Sequence, residues 1–291
     1  MNGAGAASVE AGLEVQRAER IAISLENPVS GKLEGFVHAN RTVRVGDMVG
    51  PNGNLGETLA LCGAGPSLRS LRFDRNDALW ACNSALTYLV GEGVTVSAAV
   101  GIDQTPGLLR EWLEPPDVPY YVASSCDPEL VAHLREHDRA VRFFHNHVGF
   151  KGELDEYCSE AWAPGYMVGE GATVVPRAIG LAQWCGFERV DVYGADCALG
   201  VDDMAHANGE SAAVAFGQPT LMEGQIGGRT WRTRPDMLLA AVDLVRRVRK
   251  SEGRVRLMGD TLAVALLGKT DDYLELVMRR LTPDELPPTG D

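Results

Sequence analysis

Three polar residues closely follow apolar runs of strand length: Asn83 after ALWAC, Asp103 after VSAAVGI, and Asp196 after VDVY with Gly194 and Ala195 between. Carboxylates so placed can hold a divalent metal over a phosphate chain, since Mg²⁺ commonly takes one or two carboxylates and completes its shell with water and phosphate oxygens. They can equally accept hydrogen bonds from a ribose or a substrate, or simply cap a turn. A further apolar run, TLALC, ends in Gly63, Ala64, Gly65, Pro66 and Ser67. Glycine there lets a ligand approach the main chain, and proline suits the first helical turn. The helix N-terminus that follows carries unpaired N–H groups and a partial positive charge, so the turn is a candidate phosphate cradle. A second turn of this kind, Gly169, Gly171 and Thr173, stands ahead of a helical pattern that begins at Val174. Two such turns can hold two phosphates of one ligand, although Thr173 also suits an N-cap, a role worth about 1 kcal/mol.

His206 lies in the polar run DDMAHANGE beyond Asp196. An unperturbed imidazole pKa of about 6.5 suits general acid or base work. A dinucleotide fingerprint requires a glycine where Leu68 stands and an acid where Asn83 stands, which excludes an ordinary NAD enzyme and leaves other nucleotide binding open. For Asn83 a helix cap is the competing role. Two literal motif matches are discounted. His133 to His137 spells H-x-x-E-H, but Leu130, Val131 and Leu134 give it the apolar stripe of an ordinary amphipathic helix, and no third ligand is identifiable. His145-Asn146-His147 spells a nuclease-like tripeptide without the basic surface that DNA requires, and lining a site suits that loop better.

These residues need a frame that gathers strand ends. Strands are expected at 59–62, 78–82, 96–102, 120–123, 141–144, 190–193 and 255–258, and helices at 84–90, 107–113, 128–137, 174–185 and 236–252. Alternation of continuous apolar strands with helices predicts an α/β fold, a Rossmann-like, mostly parallel sheet with helices on both faces. In such sheets ligands bind beyond the carboxyl ends of the strands. Two long irregular stretches, 145–169 and 196–234, are candidate lids or binding loops. In these, Trp162, Tyr166 and Trp231 could stack on a planar ligand or pack the loops down. Residues 1–56 are expected to form an N-terminal extension with a short hairpin near 36–45, residues 57–268 the main domain, and 269–291 a helix at 273–281 with an acidic tail.

The composition narrows the partners. With 291 residues, 45% of them hydrophobic, the chain can bury a sizeable core. A formal net charge of -13 argues against nucleic-acid or membrane-surface binding, so any phosphate must be met by local donors, a few basic side chains or a metal. The six cysteines form no CxxC pair and point to buried thiols in a reducing compartment. With no targeting segment or membrane span recognisable, a cytoplasmic protein is expected.

Taken together, GAGPSL, CN, GID, GEGATVVPRAIGLAQWCGF and VYGADCAL followed by a histidine resemble the archaeal 6-hydroxymethylpterin pyrophosphokinases, the MptE-like family. That family is related in fold to motility-accessory-factor glycosyltransferases and to bacterial sialyltransferases that use CMP-sugars. The resemblance spans about 57–268 and implies a nucleotide at Gly63, Gly65, Ser67 and Asn83. It implies ATP with Mg²⁺ as donor, Asp103 and Asp196 on the metal, and the turn from Gly169 to Thr173 on the phosphates. A pterin-like small molecule would accept the diphosphate. The glycosyltransferase alternative puts a CMP-linked donor in the same crevice with His206 as the base. A non-catalytic nucleotide-binding or assembly module is the third possibility, and a homo-oligomer is compatible with each.

Overall fold

A computed structural model describes residues 53–70, 72–73, 76–103, 107–145, 171, 173–216 and 221–281. The expected N-terminal extension, the hairpin near 36–45 and most of the stretch 145–169 lie outside the described residues.

The strands are β1 (Thr58–Cys62), β2 (Ala78–Cys82), β3 (Ala98–Gly101), β4 (Tyr120–Ala123), β5 (Val141–Phe144), β6 (Arg189–Tyr193), β7 (Met222–Ile226), β8 (Arg229–Thr233) and β9 (Val255–Leu257). Seven of them form one sheet in the order β5-β4-β3-β2-β1-β6-β9, every pairing parallel, while β7 and β8 make a separate antiparallel hairpin. The central strand explains the continuous apolar runs. Leu59, Ala60, Leu61 and Cys62 are each 0% exposed, which requires cover on both faces of the sheet. The carboxylate in a buried strand is also accounted for: Asp191 of β6 accepts two bonds from Arg256 of β9, at 2.7 and 2.6 Å.

The helices are α1 (Ala85–Gly91), α2 (Gly107–Glu111), α3 (Pro128–Glu136), α4 (Val174–Trp184), α5 (Ala212–Phe216), α6 (Pro235–Lys250), α7 (Leu262–Leu267) and α8 (Asp271–Leu281). Helix α4 lies across β1, β2, β3 and β6 and buries Ala178, Ile179, Leu181 and Ala182 there. Helix α6 packs beside it, against α7, α8 and β9. Helix α3 behaves as an ordinary amphipathic helix, with the His133 ring on the carbonyls of Trp112 and Leu113 at 3.0 and 3.2 Å and the His137 ring on the carbonyl of His133. None of the described helices is long and apolar enough to cross a membrane.

The chain lays down β1 to β5 on one side of β1 and then returns to place β6 on the other. That reversal makes the carboxyl ends of β1 and β6 the topological switch point, where a crevice opens in sheets of this type. The stretch 196–234, expected to be irregular, contains α5 and the β7–β8 hairpin. Trp231 of that hairpin packs down: it is 5% exposed, donates to the Ile226 carbonyl at 3.2 Å, and carries the Arg229 guanidinium over its ring at 4.1 Å.

Candidate active site

At the switch point the glycine turn after β1 is in close contact with the loop after β6. The N–H of Gly63 donates to the Tyr193 carbonyl and that of Gly65 to the Gly194 carbonyl, both at 2.8 Å, while the Ala64 carbonyl accepts from Ala207. The Ser67 N–H donates to both oxygens of Asp196, at 3.3 and 3.2 Å, and the Ser67 hydroxyl donates to Asp196 Oδ2 at 2.9 Å. A side chain at position 65 would put its Cβ 2.1 Å from Asp196 Oδ2, so Gly65 is glycine to admit this carboxylate. The N–H groups of Gly63, Gly65 and Ser67 that the sequence offers to a phosphate are thus all engaged within the protein. Asp196 stands where an anion would sit. Burial lifts its pKa to about 6, with the Ser67 bonds opposing that rise.

A second group gathers at the ends of β2 and β3. Asn83 takes a left-handed backbone conformation, φ 47°, which asparagine tolerates better than most residues. Its N–H donates to the Val100 carbonyl at 3.0 Å, and its own carbonyl accepts from Trp112 Nε1 at 3.2 Å. The side chain turns toward Asp103, with Nδ2 donating to Asp103 Oδ2 at 3.0 Å. The remaining amide oxygen, Oδ1, is buried and has no hydrogen-bond partner. Native proteins rarely leave such an atom unpaired, which makes it a candidate acceptor for a ligand donor. Burial raises the Asp103 carboxyl, and the nearby positive charge of Arg177 pulls it back.

Arg177 comes from the first turns of α4 and is itself lowered by burial, against the opposing charges of Asp103 and Asp243. Its Nε donates to the Gly171 carbonyl at 2.9 Å, which ties the arginine to the turn before the helix. Thr173 occupies the N-cap position of α4, but its side chain makes no cap bond. The head of an eleven-residue helix is therefore not capped by this threonine, and it stands beside a partly buried cation.

His206 lies in the stretch after β6, with Nδ1 on Glu210 Oε2 at 2.8 Å. Glu210 also lines a cleft of about 790 Å³ together with Arg69, Ser84, Tyr88, Arg110 and Glu111. Partial burial raises the Glu111 carboxyl, His206 lowers it, and Glu210 and Asp103 add to the rise. Acid, base and cleft are therefore in one neighbourhood. His145, by contrast, is 0% exposed, accepts or donates at Ser124 Oγ over 2.6 Å, and is lowered to about 4 by burial. Asn146 and His147 lie outside the described residues.

The structure therefore joins Asn83 to Asp103, holds Asp196 on Ser67, and sets Gly171 and Thr173 at the head of α4. Gly169 lies outside the described residues, as do Trp162 and Tyr166. The two aspartates expected to share a metal face different partners, and among the described residues no group of three or more His, Cys, Asp or Glu could hold one. Arg177, Glu111 and Glu210 were not among the expected site residues. Glu210 was detectable, four positions after His206 in a polar loop, and Arg177 as a cation just inside a helix whose head is a glycine turn.

Comparison with known proteins adds to this geometry. The family model described as "6-hydroxymethylpterin diphosphokinase MptE-like" matches residues 38–202. Among solved structures, the MAf glycosyltransferase from Magnetospirillum magneticum AMB-1 superposes with a TM-score of 0.55 at 13% identity, covering 86% of this chain and 41% of that one. At that identity the likeness concerns the fold, and this chain spans less than half the length of that enzyme. No curated protein matches the chain.

Proposed function

The chain belongs to the 6-hydroxymethylpterin diphosphokinase MptE-like family, and on that premise we propose that it is a nucleotide-dependent transferase that moves diphosphate from ATP to the hydroxymethyl group of a pterin-like small molecule. The observation that carries the nucleotide site is the buried, unpaired Asn83 Oδ1 beside Asp103 at the carboxyl edge of the sheet. Phosphates are met at the head of α4, where Arg177 and the N-terminal N–H groups supply positive charge. When bound with the nucleotide, Mg²⁺ would supply further charge neutralisation.

In this reaction the acceptor hydroxyl oxygen attacks the β-phosphorus, the bond from that phosphorus to the α,β-bridging oxygen breaks, and AMP leaves. Such transfers depend on positioning and electrostatic stabilisation more than on covalent help from the protein. His206 takes the hydroxyl proton, and Glu210 at Nδ1 fixes the ring and steadies its charge. The cleft lined by Ser84, Tyr88 and Glu111 receives the acceptor.

A CMP-sugar-dependent glycosyl transfer is the second reading, favoured by the same His206–Glu210 pair, which would deprotonate an acceptor hydroxyl while CMP leaves. Thermal titration separates the two. ATP with Mg²⁺ at 100 times its dissociation constant should add about 2.7 kcal/mol of stability. Stabilisation by CMP or CTP alone would replace the diphosphate reading with the glycosyl one, and stabilisation by neither would remove both.

A further inference from the structure

We propose that the Asn83–Asp103 pair reads the hydrogen-bond donors of the bound nucleotide, the vicinal hydroxyls of its ribose or the amino group of its base, and does not hold its phosphates. This rests on the nucleotide reading above and assigns one end of the ligand.

The orientation of the amide decides the matter. A carboxylate can only accept, so the Asn83 atom 3.0 Å from Asp103 Oδ2 is the NH₂ group, and the oxygen faces away from it. That oxygen is the buried atom without a partner. The pair therefore offers two acceptors, Asn83 Oδ1 and the Asp103 carboxylate, with the Asn83 NH₂ already donating to Asp103. At Asn83 Oδ1 and the Asp103 carboxylate a phosphate oxygen would meet acceptors, whereas O–H or N–H groups would satisfy both. The acceptors are held ready before any ligand arrives. Asn83 is fixed by its bonds to Val100 and Trp112, and Asp103 is held by its bond from Asn83 and by the nearby Arg177 charge. The ligand thus gains a direction across the crevice, with donors toward β2 and β3 and phosphates toward Arg177 and the head of α4.

The discriminating variant is Asn83→Gly. It deletes the amide, accepts the left-handed backbone, and keeps the main-chain bonds to Val100 and Trp112. Calorimetric titration would compare ATP, its 2′,3′-dideoxy analogue, inosine triphosphate, and inorganic diphosphate, all with Mg²⁺. The wild type should prefer ATP to at least one analogue by about tenfold or more, because a site built to pair with donors rejects a ligand that lacks them. The dideoxy arm reports the ribose and the inosine arm the amino group. In Asn83→Gly that preference should shrink to within about threefold while diphosphate binds as in the wild type, the cost of the unpaired acceptor having gone. If the variant does not accumulate, Asp103→Asn, which turns an acceptor into a donor, should erase the same preference. Equal wild-type affinity for all three triphosphates would overturn this subsite and leave the nucleotide reading standing. So would a preference that survives both substitutions. Failure of every adenine and cytidine nucleotide to bind the wild type would overturn both proposals.

Discussion

Two glycine turns feed helical segments at the same edge of the sheet, and they have opposite fates. After β1, the donors of Gly63, Gly65 and Ser67 are all bonded within the protein, and the Asp196 carboxylate fills the position of an anion. Before α4, Thr173 leaves its capping role unfilled, Arg177 brings a partly buried charge, and the neighbouring Asn83 Oδ1 is without a partner. The first turn is a joint that fastens β1 to the loop after β6. The second is the head of the proposed site. A glycine turn ahead of a helix therefore offers close approach, and what distinguishes joint from site is whether the chain itself supplies the approaching group.

Changes at the joint should show in stability and changes at the site in binding. The largest effect is expected at Gly194→Ala. Its φ of +60° disfavours a side chain, and a Cβ there would lie 2.2 Å from the Gly63 carbonyl oxygen, so backbone must move. A loss of more than about 3 kcal/mol in denaturant unfolding is expected, above the usual cost of overpacking.

Next is the pH dependence at the joint. Burial holds Asp196 at about 6 in the folded protein, above the unfolded carboxylate value of about 3.9, so the native state binds the extra proton between those limits. Stability from this group is present below about pH 4 and lost as pH rises through about 6, on the order of 3 kcal/mol in all. Asp196→Asn, which cannot titrate, should flatten that fall in unfolding measured from pH 4 to 7. At the site, Arg177→Gln should weaken nucleotide binding by about tenfold, or about 1.4 kcal/mol, in a calorimetric titration.

The smallest effect sharpens the contrast between two threonines. Thr261 caps α7, its hydroxyl accepting from the Val264 N–H at 3.2 Å, so Thr261→Ala should cost about 1 kcal/mol. Thr173→Ala removes no cap bond and should stay within about 0.5 kcal/mol on unfolding.

The strands of the parallel sheet were legible because buried central strands read as unbroken apolar runs, and 120–123 and 141–144 coincide with β4 and β5. The β7–β8 hairpin was also written in the sequence, in MEGQI and RTWRT around Gly227-Gly228, a two-residue turn between alternating segments. Its polar outer face, Glu223 and Gln225, made it resemble loop. Helix α7, LAVALL, is too short for its apolar face to show a helical period. Within the site, strand ends placed Asn83 and Asp103 correctly at the carboxyl edge, and their mutual bond could not be read from spacing. The role of Asp196 was further out of reach, because its partner Ser67 lies 129 positions away and only the sheet order brings them together. The action of Arg177 on Asp103 was obscured for the same reason, since that charge acts across the fold.

The comparison turns on one measurement, nucleotide affinity by calorimetry in Ser67→Ala and Arg177→Gln side by side. The expected result is affinity within about threefold of wild type for Ser67→Ala, whose hydroxyl serves the joint, and a loss of about tenfold or more for Arg177→Gln, whose charge serves the site. A loss confined to Ser67→Ala, with Arg177→Gln binding normally, would place the phosphates at the β1 turn and contradict the division between joint and site.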